Sequence, residues 1–122
     1  MKDIFKEVMG IEGVRGLLII SNEGAVTLSR FSPDFKRETE RLSQINWLPF
    51  TIEMEGIKDA ELVYDSARFY IKKFEDGYLL VVIGDNAPLS MVRLNCEVLL
   101  PSLAKMQPTS KKIGNLLRKK LF

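Results

Sequence analysis

Between the turn signals Glu75-Asp76-Gly77 and Gly84-Asp85-Asn86 the chain reads Tyr78-Leu79-Leu80-Val81-Val82-Ile83, six residues without a charge. A short apolar run rich in β-branched residues and bounded by turn residues reads as a central strand whose two faces are both buried. Such a strand needs cover on each side, so the sheet that contains it must be sandwiched between helices. A chain of 122 residues, 46% hydrophobic and 28% charged, is sized for one domain with its own core. Its single cysteine, Cys96, leaves no intramolecular disulfide to assist.

The other elements follow from local signals. Residues 3–9 read as a short helix, with Ile4, Phe5 and Val8 at helical spacing and Gly10 as the stop. Leu17-Leu18-Ile19-Ile20, the turn Asn22-Glu23-Gly24 and Ala25-Val26-Thr27-Leu28 make a β-hairpin. Ser32-Pro33-Asp34 starts a helix that carries Phe35, Leu42 and Ile45 near one face, and Pro49 is expected to end or kink it near Trp47-Leu48. Residues 50–57 stay open between a second helical segment and irregular chain. Residues 61–64 read as a short strand, Asp65-Ser66-Ala67 as a turn, and residues 68–74 as an alternating strand with Phe69 and Ile71 on one side and Tyr70 and Phe74 on the other. After Pro88 a helix runs to about Leu100, and Pro101 kinks it or marks its end. Leu89, Val92, Cys96, Leu99, Leu100 and Leu103 form its core stripe, and Met91, Leu94 and Val98 form a second stripe opposite. Residues 110–122 complete the chain as a basic amphipathic helix. The expectation is an α+β fold: one five-stranded, mostly antiparallel sheet, in the order α-β-β-α-β-β-β-α plus the C-terminal helix. The middle helix covers one face, and the first and last helices of the domain the other.

Composition excludes much chemistry. The sequence has no histidine, which removes the usual zinc and haem ligands and the Ser-His-Asp and Cys-His nucleophile systems. It has neither GxxxxGK[ST] nor GxGxxG after a strand. No cofactor or metal is expected, and catalytic use of Asp65, Glu75, Asp76 or Asp85 is disfavoured because most of them serve turns. No apolar run is long enough to cross a bilayer, and the first residues lack the apolar core of an export signal, so a cytoplasmic location is expected.

Several local sequences, in order, resemble the roadblock/LC7 family. They are Gly13-Val14-Arg15-Gly16 at the first strand, Asn22-Glu23-Gly24 at the hairpin, Asp76-Gly77 leading into the apolar strand, and the Leu-rich helix from Leu89 to Leu103. The resemblance covers about residues 2–105 and implies a profilin-like, non-enzymatic platform. Family members dimerise through the middle helix and the strand after it, joining two sheets edge to edge. Many act with small Ras-like GTPases as regulators or anchors, and bacterial members often partner a polarity or motility GTPase. On this resemblance the chain is expected to form a homodimer or a heterodimer with a paralogue, and to bind a small Ras-like GTPase. The dimer interface would use Phe35, Leu42, Ile45, Trp47, Phe50, Leu62 and Tyr64. This chain differs from many members in a middle helix that is charged rather than rich in small residues and that ends in Trp47-Leu48-Pro49-Phe50.

Two further surfaces come from the residues themselves. Met91, Leu94 and Val98 suit a partner, a second subunit or the chain's own tail. The tail, residues 107–122, stands apart from a domain at residues 1–106. After Glu97 the chain has no acid but six basic residues, so the net charge of +2 leaves −4 on residues 1–97. Lys111, Lys112, Arg118, Lys119 and Lys120 accompany the apolar Ile113, Leu116, Leu117 and Leu121. Self-docking or protein contact ranks first for this segment and weak contact with an anionic membrane second. Nucleic acid ranks last, because aromatics are not interleaved with the charges.

Overall fold

The computed structural model describes residues 4–63 and 68–106. Five strands form one sheet: β1 (Val14–Ser21), β2 (Val26–Phe31), β3 (Asp59–Val63), β4 (Arg68–Phe74) and β5 (Gly77–Ile83). Their spatial order is β2-β1-β5-β4-β3, and every neighbouring pair is antiparallel. The apolar strand β5 lies at the centre and is buried along its whole length.

Register explains the double burial. Leu17, Val81 and Tyr70 lie side by side across β1, β5 and β4, and so do Leu18, Leu80 and Ile71. Side chains alternate across a strand, so these two rows point to opposite faces. The first row joins a core completed by Phe5 and Val8 and by Val92, Cys96, Leu99 and Leu103. These belong to, or adjoin, the short helix α1 (Lys6–Met9) and the long helix α4 (Leu89–Met106). The second row joins Ile20, Tyr78, Val82 and Met54, covered by Leu42, Trp47 and Phe50. The sandwich expected from the sequence is therefore present, with α1 and α4 on one face and the middle segment on the other.

Topology sets the task of that middle segment. β2 and β3 are consecutive strands at opposite edges of the sheet. The chain between them must cross four interstrand steps of about 4.8 Å, about 19 Å in all. It does so with a 3-10 turn at Pro33–Phe35 and two helices, α2 (Lys36–Ser43) and α3 (Leu48–Glu53). The break therefore falls at residues 44–47, before Pro49, and Pro49 opens α3 within its first two positions. There its missing N–H costs nothing, because the first N–H groups of a helix have no intrahelical partner.

Two glycines fix close backbone approaches. Gly24, at φ 86°, ends the β1–β2 turn, and a Cβ there would lie 2.3 Å from the Leu48 nitrogen. Trp47 N–H donates to the Gly24 carbonyl at 3.2 Å, so the hairpin tip is clamped to the start of α3. Gly77 opens β5 where a Cβ would meet the Ile20 carbonyl oxygen at 2.1 Å. At the other end of the fold α4 passes through Pro101 and continues to Met106. Proline forfeits one backbone bond there, while Leu99 and Leu103 on either side stay packed in the core.

Candidate functional site

Two exposed apolar surfaces stand out among the described residues. On the middle-segment side, Leu42 is the side chain that α2 brings to the sheet among those described. The Leu42 carbonyl, which also takes the Ile45 N–H at 3.3 Å, accepts a 2.9 Å bond from the Trp47 indole N–H, which holds the ring where the chain turns into α3. Asn46 Oδ1 accepts from Leu48 N–H at 3.1 Å, an N-cap-like contact for α3. Trp47 meets Phe50 edge-on with centroids 5.3 Å apart, and Phe50 meets Tyr78 at 5.6 Å. This aromatic chain stitches α3 to β5.

With Thr51 and Met54 turned inward, the outer side of α3 is left apolar. Ile45, Leu48, Ile52 and Ile57 are all exposed, Ile52 by 64%. Four large apolar side chains in one short stretch are more than the scattered exposure normal for a surface. Of the expected interface residues, Leu42, Trp47, Phe50 and Leu62 pack against the second core, and Ile45 is exposed beside them. Phe35 carries the Arg15 guanidinium 4.9 Å over its ring, near the start of β1. Tyr64 and the tail residues Lys111, Lys112, Ile113, Leu116, Leu117, Arg118, Lys119, Lys120 and Leu121 lie outside the described residues. Leu48, Ile52 and Ile57 were not expected from the sequence. Their signal was the four-residue spacing of Leu48 and Ile52 around an inward Thr51, in a segment whose conformation the sequence left open.

Next to this face, β3 is an edge strand among the described residues. Ala60 and Leu62 face the α2–α3 side, and Asp59, Glu61 and Val63 the α4 side, where Val63 is 67% exposed. An unpaired edge beside an apolar helix face is a template for another chain. On the opposite side of the molecule, Met91, Leu94 and Val98 are 51%, 61% and 71% exposed along the outer side of α4.

The polar clusters serve structure. The buried Tyr70 hydroxyl donates to Asp59 Oδ2 at 3.0 Å, and Arg93 reaches the same oxygen at 3.4 Å, tying α4 to the β3 edge. Burial and the Asp59 carboxylate raise the Tyr70 pKa. Lys73 is lowered by burial, and its ammonium donates to Asn22 Oδ1 and to the Phe74 and Gly77 carbonyls. Cys96 is fully buried, and burial pushes its thiol up to about 12. A thiol in that state is a poor nucleophile. Among the described residues no three His, Cys, Asp or Glu side chains come together as metal ligands, and no helix is long and apolar enough to cross a membrane.

The Cys96 shift has a measurable consequence. Its folded pKa lies above its unfolded value of 9.0, so its contribution to stability is whole below pH 9 and is lost as pH rises above it. Between pH 8 and 10 this group alone removes about 1 kcal/mol. Tyr70 acts in the same direction above pH 10, and the lowered Lys73 acts in the opposite direction. Urea unfolding across that range is expected to show a shallower alkaline loss in Cys96→Ala than in the natural chain. Parallel slopes would mean that the thiol is not protected in the fold.

No protein-family model matches the sequence, and no curated protein is significantly similar to it. Solved structures match the fold. A roadblock/LC7 domain from Streptomyces avermitilis aligns with TM-score 0.60 over 83% of this chain and 91% of its own, at 15% identity. MglB from Myxococcus xanthus aligns with TM-score 0.63 over 87% of this chain and 83% of its own, at 12% identity. An MglB structure described as having a tetrameric arrangement aligns with TM-score 0.58 over 84% of this chain and 83% of its own, at 19% identity. At such identities the likeness is one of fold, and the fold of this chain is that of roadblock/LC7 domains.

Proposed function

We propose that this chain is a non-enzymatic dimeric platform that binds a small Ras-like GTPase and modulates or localises it in the cytoplasm. The observation that carries the reading is the exposed apolar face of α3, with Leu48, Ile52 and Ile57 beside the unpaired edge of β3, on a roadblock/LC7 fold. A second copy laid against that edge extends the sheet and covers the apolar side chains in the same step. The tetrameric arrangement named for one MglB structure supports self-association for a fold of this kind. The surfaces left over, rather than a reaction centre, are then what a GTPase would recognise.

The test is retention of a purified Ras-like GTPase from the same cell on the immobilised full chain, loaded in turn with GDP and with a non-hydrolysable GTP analogue. A platform that regulates or anchors one nucleotide state is expected to retain that state about tenfold better or more. Retention of neither form overturns the GTPase reading and leaves the dimer to be judged separately.

A further inference from the structure

Beside the exposed stripe of α4 runs a trough. Its first part, about 840 Å³, has Glu7 and Glu12 on one wall and Met91 and Asn95 on the other. Its second part, about 570 Å³, has Ile4 and Glu7 opposite Asn95, Val98 and Ser102. Lys6, Glu7 and Asn95 line both parts, so the two are continuous along α4. From Met91 to Ser102 the trough is about 17 Å long at 1.5 Å per helical residue. The α4 wall mixes Met91 and Val98 with Asn95 and Ser102, and Leu94, just outside the lining, continues the exposed apolar stripe. The rim carries the carboxylates of Glu7 and Glu12, with Lys6 as the basic residue lining it among the described residues.

We propose that residues 110–122 dock into this α1–α4 trough of their own chain as a basic amphipathic helix. The segment begins four positions after Met106, the last described residue of α4. The intervening sequence, Gln107-Pro108-Thr109, is one that favours a turn. Thirteen helical residues span about 20 Å, enough to run back along α4 past Val98 and Leu94. Ile113, Leu116, Leu117 and Leu121 provide the apolar cover that the stripe lacks, and five basic side chains meet a rim that carries the Glu7 and Glu12 carboxylates. A connection this short holds the segment at an effective concentration of about millimolar, which favours its own trough over a separate ligand of similar chemistry. A partner for Met91, Leu94 and Val98 must then displace the segment. The inference does not rest on the GTPase reading.

The test places a nitroxide on Lys120→Cys in the full isotope-labelled chain. Cys96 is buried and does not compete for the reagent. Docking is expected to erase most of the amide signal of Glu7, Met91 and Asn95 while sparing β2. The loss should persist when the labelled chain is diluted with excess chain lacking isotope and nitroxide, and should disappear in Leu94→Asp/Val98→Asp. Intact signals at Glu7 and Met91 overturn the proposal, as does a loss that survives the double substitution. A loss that fades on dilution also overturns it and assigns the trough to the tail of a second copy.

Discussion

Arg68→Met is expected to lower the unfolding free energy by about 2–4 kcal/mol, because it strips the donor from the Gly84 and Ala87 carbonyls, buried acceptors worth about 1–3 kcal/mol each. Arg68 opens β4 beside the end of β5. One guanidinium nitrogen donates to three carbonyls of the β5–α4 loop: Gly84 at 2.9 Å, Asp85 at 3.3 Å and Ala87 at 2.7 Å. The other terminal nitrogen pairs with Glu61 Oε2 at 3.3 Å. The loop is thus held by a side chain, and α4 starts from it. Methionine keeps the bulk but leaves carbonyls without a donor, each costing about 1–3 kcal/mol where water cannot reach. Part of the gain is already offset in the native chain, because Arg68 Nε is buried without a hydrogen-bond partner among the described residues. Lysine cannot reproduce the planar fork, so Arg68→Lys should recover less than half of the loss. Glu61→Gln should cost under about 1 kcal/mol, because the pair is partly exposed. Urea unfolding of the three variants checks this. A loss under about 1 kcal/mol in Arg68→Met would mean that the loop holds its shape without the guanidinium.

Nothing near Arg68 in the sequence signals that role, since its acceptors lie 16 to 19 residues away. Where information is periodic the chain is readable: the alternation of β4, the apolar run of β5 and the core stripe of α4 each determine a face, and all three faces are found as expected. The sandwich follows because β5 must be covered twice. The middle segment is harder. Its break at residues 44–47 depends on the Trp47 indole reaching the Leu42 carbonyl and on Gly24 meeting α3, and the second of these contacts spans 23 residues. Pro49 marks the place but not the sense: it begins a helix where a local reading has it ending or kinking one. The outward face of α3 could not be assigned before its helical character was known. The Arg15 guanidinium over the Phe35 ring, from twenty residues earlier, is likewise a contact that no local pattern signals.

Ile52→Asp is expected to weaken self-association about a thousandfold while leaving the unfolding free energy of the protomer within about 0.5 kcal/mol. Ile52 is 64% exposed, so the single chain gains little from it. At an interface, burying an unpaired carboxylate in place of an apolar anchor costs about 2 kcal/mol or more. A twofold axis places the same change on both partners, giving about 4 kcal/mol, or three decades in the dissociation constant. Leu48→Asp on the same outward face should act in the same direction. Sedimentation equilibrium of the natural full chain beside Ile52→Asp therefore bears most directly on the platform itself. The natural chain should sediment with the mass of two chains at micromolar concentration and Ile52→Asp with the mass of one. A natural chain that stays monomeric throughout that range, or an Ile52→Asp variant that associates as tightly as the natural chain, would contradict the apolar α3 face as the site where two copies join.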